Sequence, residues 1–191
     1  MVKNEIICTI FLLGLSIYSI SSIQSGNAQA ENWKSYNGPA ERFTFLYPPN
    51  WAVNSTLYDN GVTQTTLTNP NSSRMKISLI YVPNDPSLNS NTGKPVVLSR
   101  VLTGLEDDMA ADYFYFNSTG KFPHKYSIQN YTSASDLIDY EKVEGRPGKM
   151  LLLISSVSDT DSLMFTFMES KRLFYKQLPV VSNVLKSVTI K

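Results

Sequence analysis

The sequence predicts an α+β domain built around a largely antiparallel sheet, and three observations carry that prediction. Short runs of alternating apolar and polar residues recur along the chain, separated by turns rich in Pro, Asn and Gly. One longer segment carries an apolar stripe at three- and four-residue spacing. A second, shorter helical segment lies near the end. Many strands with so few helices describe helices packed on a sheet rather than alternating βαβ units.

Residues 31–42 are polar around Trp33 and Tyr36 and read as a lead-in to a domain at 43–191. Phe43, Phe45 and Tyr47 alternate with Thr44 and Leu46, as a strand with one buried face does. Pro48-Pro49-Asn50 then turns the chain, because proline cannot donate to a ladder. Residues 51–56 resume in extended form, and 62–68 make a threonine-rich strand stopped by Asn69-Pro70-Asn71. Residues 75–82 form a clearer strand, with Met75, Ile77, Leu79 and Tyr81 on one side.

Residues 83–94 are dense in Asn, Ser, Pro and Asp and read as a mobile loop. The main helix follows, its stripe made by Leu98, Val101, Leu102, Leu105, Met109, Tyr113 and Phe116. Pro95 suits the first turn, where its missing N–H costs nothing. Gly104 lowers helix propensity by about 1 kcal/mol. Residues 126–132 read as a strand and 137–143 as another, before the Gly145-Arg146-Pro147-Gly148 turn. The strongly apolar 149–157 reads as a central strand, hairpinned through residues 158–161 onto 163–169. A last helix starting near Pro179 buries Val181, Val184 and Leu185, and residues 187–190 end the chain as a small strand. There is no internal repeat.

The first thirty residues read as an export address. Lys3 precedes an apolar run from Ile6 to about Ile20, and a polar stretch then ends in Ala28-Gln29-Ala30. A basic start, a short apolar middle and small residues two apart make a secretory signal peptide, with cleavage after Ala30 and a mature chain beginning at Glu31. The alternative is an uncleaved N-terminal membrane anchor. Against it, the apolar run is short of the ~20 residues of a span, and Ser16, Ser19, Ser21 and Ser22 break up its second half and its end. Cys8 lies inside the apolar run rather than at the cleavage point, which argues against lipidation.

Loss of residues 1–30 leaves enough chain for one domain with a real core. The whole chain has 17 basic and 16 acidic side chains, a net charge of +1, so no strong field for nucleic acid or an anionic membrane is expected. Cys8 is the only cysteine, so the mature chain lacks thiol catalysis, disulfides and cysteine metal sites. Packing must hold the domain together. Nine Phe, eleven Tyr and two Trp can do so, in one interior expected to hold Phe43, Trp51 and Leu152 together. Four Asn-x-Ser/Thr sequons, at Asn54, Asn71, Asn117 and Asn130, are possible N-glycosylation sites in an exported protein.

Three segments together resemble the PsbP family, the extrinsic photosystem subunits and their non-photosynthetic relatives. Phe43-Thr-Phe-Leu-Tyr-Pro-Pro-Asn-Trp51 is similar to the family's opening strand, Tyr-Pro turn and Trp. Val143-Glu-Gly-Arg-Pro-Gly148 is similar to its Gly-x-Pro turn before an apolar strand. Phe174-Tyr-Lys-Gln-Leu-Pro179 through Leu185-Lys-Ser187 is similar to its closing helix and Ser-plus-strand end. The resemblance implies an α-β-α sandwich around an antiparallel sheet, a fold shared with a small Ran-binding nuclear import factor. It also implies docking and assembly, generally without catalysis. Photosynthetic members bind a membrane complex and influence its calcium and chloride, docking through the mature N terminus. Residues 31–42 are short and lack basic character, so photosystem binding is not carried over.

Catalytic chemistry has few candidates. His124, the only histidine, sits between lysines and a proline and reads as an exposed loop residue, since a base needs a positioned partner and zinc needs further ligands. No Gly-x-Ser-x-Gly elbow activates a serine. Two acidic groups remain, Glu106-Asp107-Asp108 with Asp112, and Asp136, Asp139, Glu141 and Glu144. A glycosidase needs two carboxyls across a cleft, one raised by burial, whereas both groups read as solvated faces. Asp159-Thr160-Asp161 lacks the glycine and distal Glu of a calcium loop and reads as a turn. Of the aromatic run Tyr113-Phe-Tyr-Phe116, two rings belong to the core by helical spacing, leaving two for a docking patch or sugar platform.

These readings describe a secreted, non-catalytic, single-domain accessory module. It needs no cofactor or metal, binds no nucleic acid, is monomeric, and is peripheral to the membrane at most. Its expected ligand is a protein partner at the outer face of a membrane or envelope. Two alternatives stand beside it: a carboxylate-dependent hydrolase of envelope carbohydrate, and a glycosylated surface protein without a specific partner.

Overall fold

The computed structural model of the chain describes residues 32–88, 97–120 and 126–191. Ala28, Ala30 and Glu31, residues 89–94 of the expected loop, Pro95 and His124 lie outside them. The elements in chain order are β1 (Lys34–Asn37), β2 (Phe43–Tyr47), β3 (Ala52–Leu57), β4 (Thr63–Thr68), β5 (Lys76–Val82) and α1 (Leu98–Ala110). There follow β6 (Tyr115–Ser118), β7 (Ser133–Glu141), β8 (Pro147–Ser156), β9 (Ser162–Ser170), α2 (Phe174–Ser187) and β10 (Thr189–Ile190).

Seven strands make one sheet in the order β3-β4-β5-β9-β8-β7-β6, and β1-β2-β10 make a second. Every pairing is antiparallel. The chain lays down β3-β4-β5, crosses through α1 to the far edge at β6, and returns by hairpins until β9 zips onto β5. The central strand β8 is a near-continuous apolar run because both its faces are covered. Its alternation sends Leu151 and Leu153 to the side of α2 and β2, and Met150, Leu152 and Ile154 to the side of α1. The arrangement is the expected α-β-α sandwich.

That geometry corrects the expectation of one shared interior. Phe43 and Trp51 pack with Phe165, Phe167, Phe174 and Val184 on one face, whereas Leu152 packs with Leu98, Leu102 and Tyr140 on the other. A sheet covered on both sides divides its core in two.

Strands β2 to β5 follow the sequence pattern within a residue or two, and Phe43, Phe45, Met75, Ile77, Leu79 and Tyr81 are all buried. Elsewhere tertiary pairing overrides the local signal. Part of the lead-in forms β1, which pairs with β2 through Tyr36 opposite Phe45. The main helix stops at Ala110, and Tyr115–Ser118 becomes the edge strand β6, with Phe116 opposite Tyr140. Residues 126–132 are not a strand: Gln129 has φ 48°, the Tyr131 N–H donates to Ile128 O, and β7 begins only at Ser133. The last helix starts at Phe174 and carries Pro179 inside it. Phe174 is fully buried, and its ring stacks 4.7 Å from Phe167, which anchors the helix start ahead of the proline. Ser187 closes this layer by accepting the Leu46 N–H at 2.8 Å and donating to Val184 O at 2.7 Å.

Candidate functional site

Three connections converge at one end of the seven-stranded sheet: the β4–β5 turn, the β7–β8 turn and the short passage from β9 into α2. Each is built by local chemistry. Asn69 Oδ1 accepts the Asn71 N–H at 2.9 Å, an Asx turn, and Ser72 Oγ accepts the Met75 N–H at 3.2 Å. Gly145 takes φ 72°, where a side chain would be strained, and its N–H donates to Glu141 Oε2 at 3.0 Å. Arg74 then ties two of the turns together, with Nη2 donating to Arg146 O at 2.9 Å and to Pro147 O at 3.2 Å.

Between the turns lies an open cleft of about 750 Å³ whose lining carries Arg74, Arg146, Lys171 and Arg172. Glu169 is its only acid, and it is fully buried. Both its oxygens are used, Oε2 by the Ser72 hydroxyl at 2.8 Å and Oε1 by the Ser170 N–H at 2.6 Å. Lys171 is half-exposed and reaches Asp139 Oδ2 at 3.2 Å. Arg146 and Arg172 are exposed and have no ion-pair partner among the described residues. The arrangement offers guanidinium forks to anionic groups, with carboxylates the natural match.

The two acidic groups do not behave as uniformly solvated faces, which corrects that expectation. Asp136 is buried, with Oδ1 accepting N–H groups from Gly120 at 2.7 Å and Leu137 at 2.6 Å, and Oδ2 accepting the Ser118 hydroxyl. Glu106 on α1 neighbours it, and its Oε1 is buried with no hydrogen-bond partner among the described residues. Burial, then the hydrogen bond and charge of Asp136, then the charge of Asp107, push the Glu106 carboxyl up to about 7. The sequence could not pair these residues because they lie on different elements. The remaining acids differ. Asp107, Asp108, Asp112 and Glu144 are exposed. Asp139 is held below the usual carboxylate range because Lys149 and Lys171 outweigh the opposing effect of burial.

The other candidates find structural employment. Asp161 receives the Tyr81 hydroxyl at 2.5 Å and the Asn84 N–H at 2.9 Å, bonds that tie the hairpin to the end of β5. Tyr113 and Phe116 pack against the α1-side core, while Phe114 and Tyr115 remain exposed at 67% and 48%. Asn54, Asn71, Asn117 and Asn130 are all exposed. Asn54 and Asn117 lie on β3 and β6, the two edge strands of the large sheet. Among the described residues no helix is long and apolar enough to cross a membrane.

No family model matches the chain, and no curated protein matches its sequence. Solved structures do match its fold. A Bacteroides thetaiotaomicron protein aligns over 83% of this chain at 13% identity and TM-score 0.52, although the chain spans only 48% of that protein's length. The Ran-binding protein Mog1p of Saccharomyces cerevisiae aligns over 83% of this chain and 95% of its own, at 8% identity and TM-score 0.51. Cyanobacterial PsbP from Synechocystis aligns over 83% and 92%, at 13% identity and TM-score 0.49. The α-β-α fold expected from the PsbP resemblance is the fold of this chain, and Mog1p shares it.

Proposed function

We propose that the protein is an exported, non-catalytic docking module that binds a protein partner at the outer face of a membrane or envelope, with the basic cleft as its contact surface. The observation that carries this reading is the fold shared with Mog1p, a protein described by what it binds. The cleft supports it with two exposed guanidinium groups, those of Arg146 and Arg172, which have no ion-pair partner among the described residues. The leader supports the compartment, and with a near-neutral total charge any electrostatic attraction must come from a local surface such as the cleft.

The test is co-purification of the tagged protein from its host's membrane fraction, in parallel with an Arg146→Glu/Arg172→Glu variant. A defined protein enriched by the native chain and lost with the variant supports the reading. Equal recovery by both, or none with either, overturns it. Sequencing of the native N terminus addresses export: a chain beginning at Glu31 supports cleavage, and an intact Met1 in the membrane fraction supports the anchored alternative. Mass spectrometry reads glycan occupancy at Asn54, Asn71, Asn117 and Asn130, and occupied sites with no recoverable partner would favour the plain surface-glycoprotein reading.

The facing carboxyls of Glu106 and Asp136 favour the hydrolase as a second reading. Degradation of envelope polysaccharide by the native protein, abolished by both Glu106→Gln and Asp136→Asn, would put it first.

A further inference from the structure

We propose that the basic cleft takes an acidic, extended peptide segment of the partner, with Arg146 and Arg172 as the groups that read its carboxylates. This deepens the docking reading and rests on it. The charge balance of the lining is four cations to one acid, in a chain whose total is +1. Glu169 is sealed beneath the Ser72 hydroxyl and the Ser170 N–H, so it does not compete as a surface partner for the arginines. Lys171 is already shared with Asp139, whereas Arg146 and Arg172 are free of ion pairs among the described residues. Arg74 is held in place by two backbone carbonyls, so the Arg146 turn is fixed before any ligand arrives. Such preorganisation reduces the ordering cost of binding.

Size and shape favour a peptide over a small anion. The cleft is open and about 750 Å³ in volume, space that several residues of a chain fill and that a phosphate would leave mostly empty. An extended peptide repeats its side-chain direction every second residue, about 7 Å apart, so carboxylates at i and i+2 can approach two arginines on different turns. The cleft is local and the chain otherwise balanced in charge, which does not provide the continuous basic track that a nucleic acid backbone follows.

The test uses a fluorescent hexaglutamate peptide, the matching hexaglutamine peptide, inorganic phosphate as competitor, and vesicles of anionic lipid, all with the full chain. Hexaglutamate should bind in low salt, weaken as salt rises, and lose at least tenfold in affinity with Arg146→Glu/Arg172→Glu. Hexaglutamine should not bind. Both arginines are exposed, so the variant should keep its thermal unfolding profile, which is measured alongside. Equal binding of the two peptides, unchanged affinity of the variant, or complete displacement by millimolar phosphate would overturn the proposal. So would vesicle binding that depends on the arginines while hexaglutamate fails to bind. Partner recovery that depends on the cleft, without hexaglutamate binding, would sink the acidic specificity and leave the docking reading standing.

Discussion

The ring of Tyr140 lies across Gly148, its partner on the neighbouring strand. A Cβ at Gly148 would sit 2.4 Å from Tyr140 Cζ and 2.7 Å from its hydroxyl oxygen. Tyr140 is itself buried and held edge-on by Tyr113, with ring centres 5.2 Å apart, so the ring cannot swing away freely. Gly148→Ala should therefore cost about 1–3 kcal/mol through overpacking. Chemical denaturation of the two single variants and of Gly148→Ala/Tyr140→Ala gives the check. The double variant should be more stable than the sum of the singles implies, because removing the ring removes the clash. Simple additivity would refute the contact.

Gly104 lies on the exposed side of α1 with nothing near the position a Cβ would take. The same change, Gly104→Ala, should here stabilise by about 0.5–1 kcal/mol, because it restores helix propensity without steric conflict. A rise in the denaturation midpoint at unchanged slope is the expected reading. A fall would mean that the helix surface at Gly104 is covered.

The contrast between these two glycines marks the limit of what is legible in a sequence. Gly104 is visible as a weak point because its cost is local, whereas Gly148 takes its meaning from a residue eight positions back across a hairpin. The same division runs through the fold. Strands β2 to β5 were readable because Phe43, Phe45, Ile77 and Leu79 alternate with polar neighbours. Strand β6 was not, because Tyr113 and Phe116 continue the three-residue helical spacing past Ala110, where the helix ends. The cleft lay beyond sequence reasoning for a related reason. Arg74, Arg146 and Arg172 occur in three separate turns, and a balanced total charge conceals them until the antiparallel topology brings those turns to one end. Glu106 and Asp136 belong to separate acidic groups in the sequence, and they become neighbours only because α1 packs on β7.

Thr63 opens β4 fully buried, and its hydroxyl has no hydrogen-bond partner among the described residues. A buried hydroxyl that donates to nothing has lost its water without compensation, which costs on the order of 1–3 kcal/mol. Valine has nearly the same shape and prefers strands at least as strongly. Thr63→Val should thus stabilise by about 1 kcal/mol, and Thr63→Ser, which keeps the hydroxyl and opens a methyl-sized gap, should destabilise. Thermal unfolding of the pair decides it. Loss of stability in both would show that the hydroxyl is satisfied in solution.

Glu106 gives the fold a pH dependence of definite sign. In the unfolded chain its carboxyl ionises near its ordinary value of 4.5, while in the fold burial and Asp136 push it up to about 7. Between those values the native state binds the additional proton, so this group's contribution is fully present below about pH 4.5 and is lost as pH rises through about 7. The group is only partly enclosed, and solvent screening reduces the effect to about 1 kcal/mol. Asp139 and Asp161 have depressed values and act oppositely, losing their contributions only as pH falls well into the acid range. The two windows therefore separate. Glu106→Gln retains a donor toward Asp136 without ionising, so its stability should stay flat between pH 5 and pH 8 where the native protein's declines. Denaturation midpoints at pH 5, 6, 7 and 8 for both proteins test this, and parallel profiles would show that Glu106 does not share its proton with Asp136.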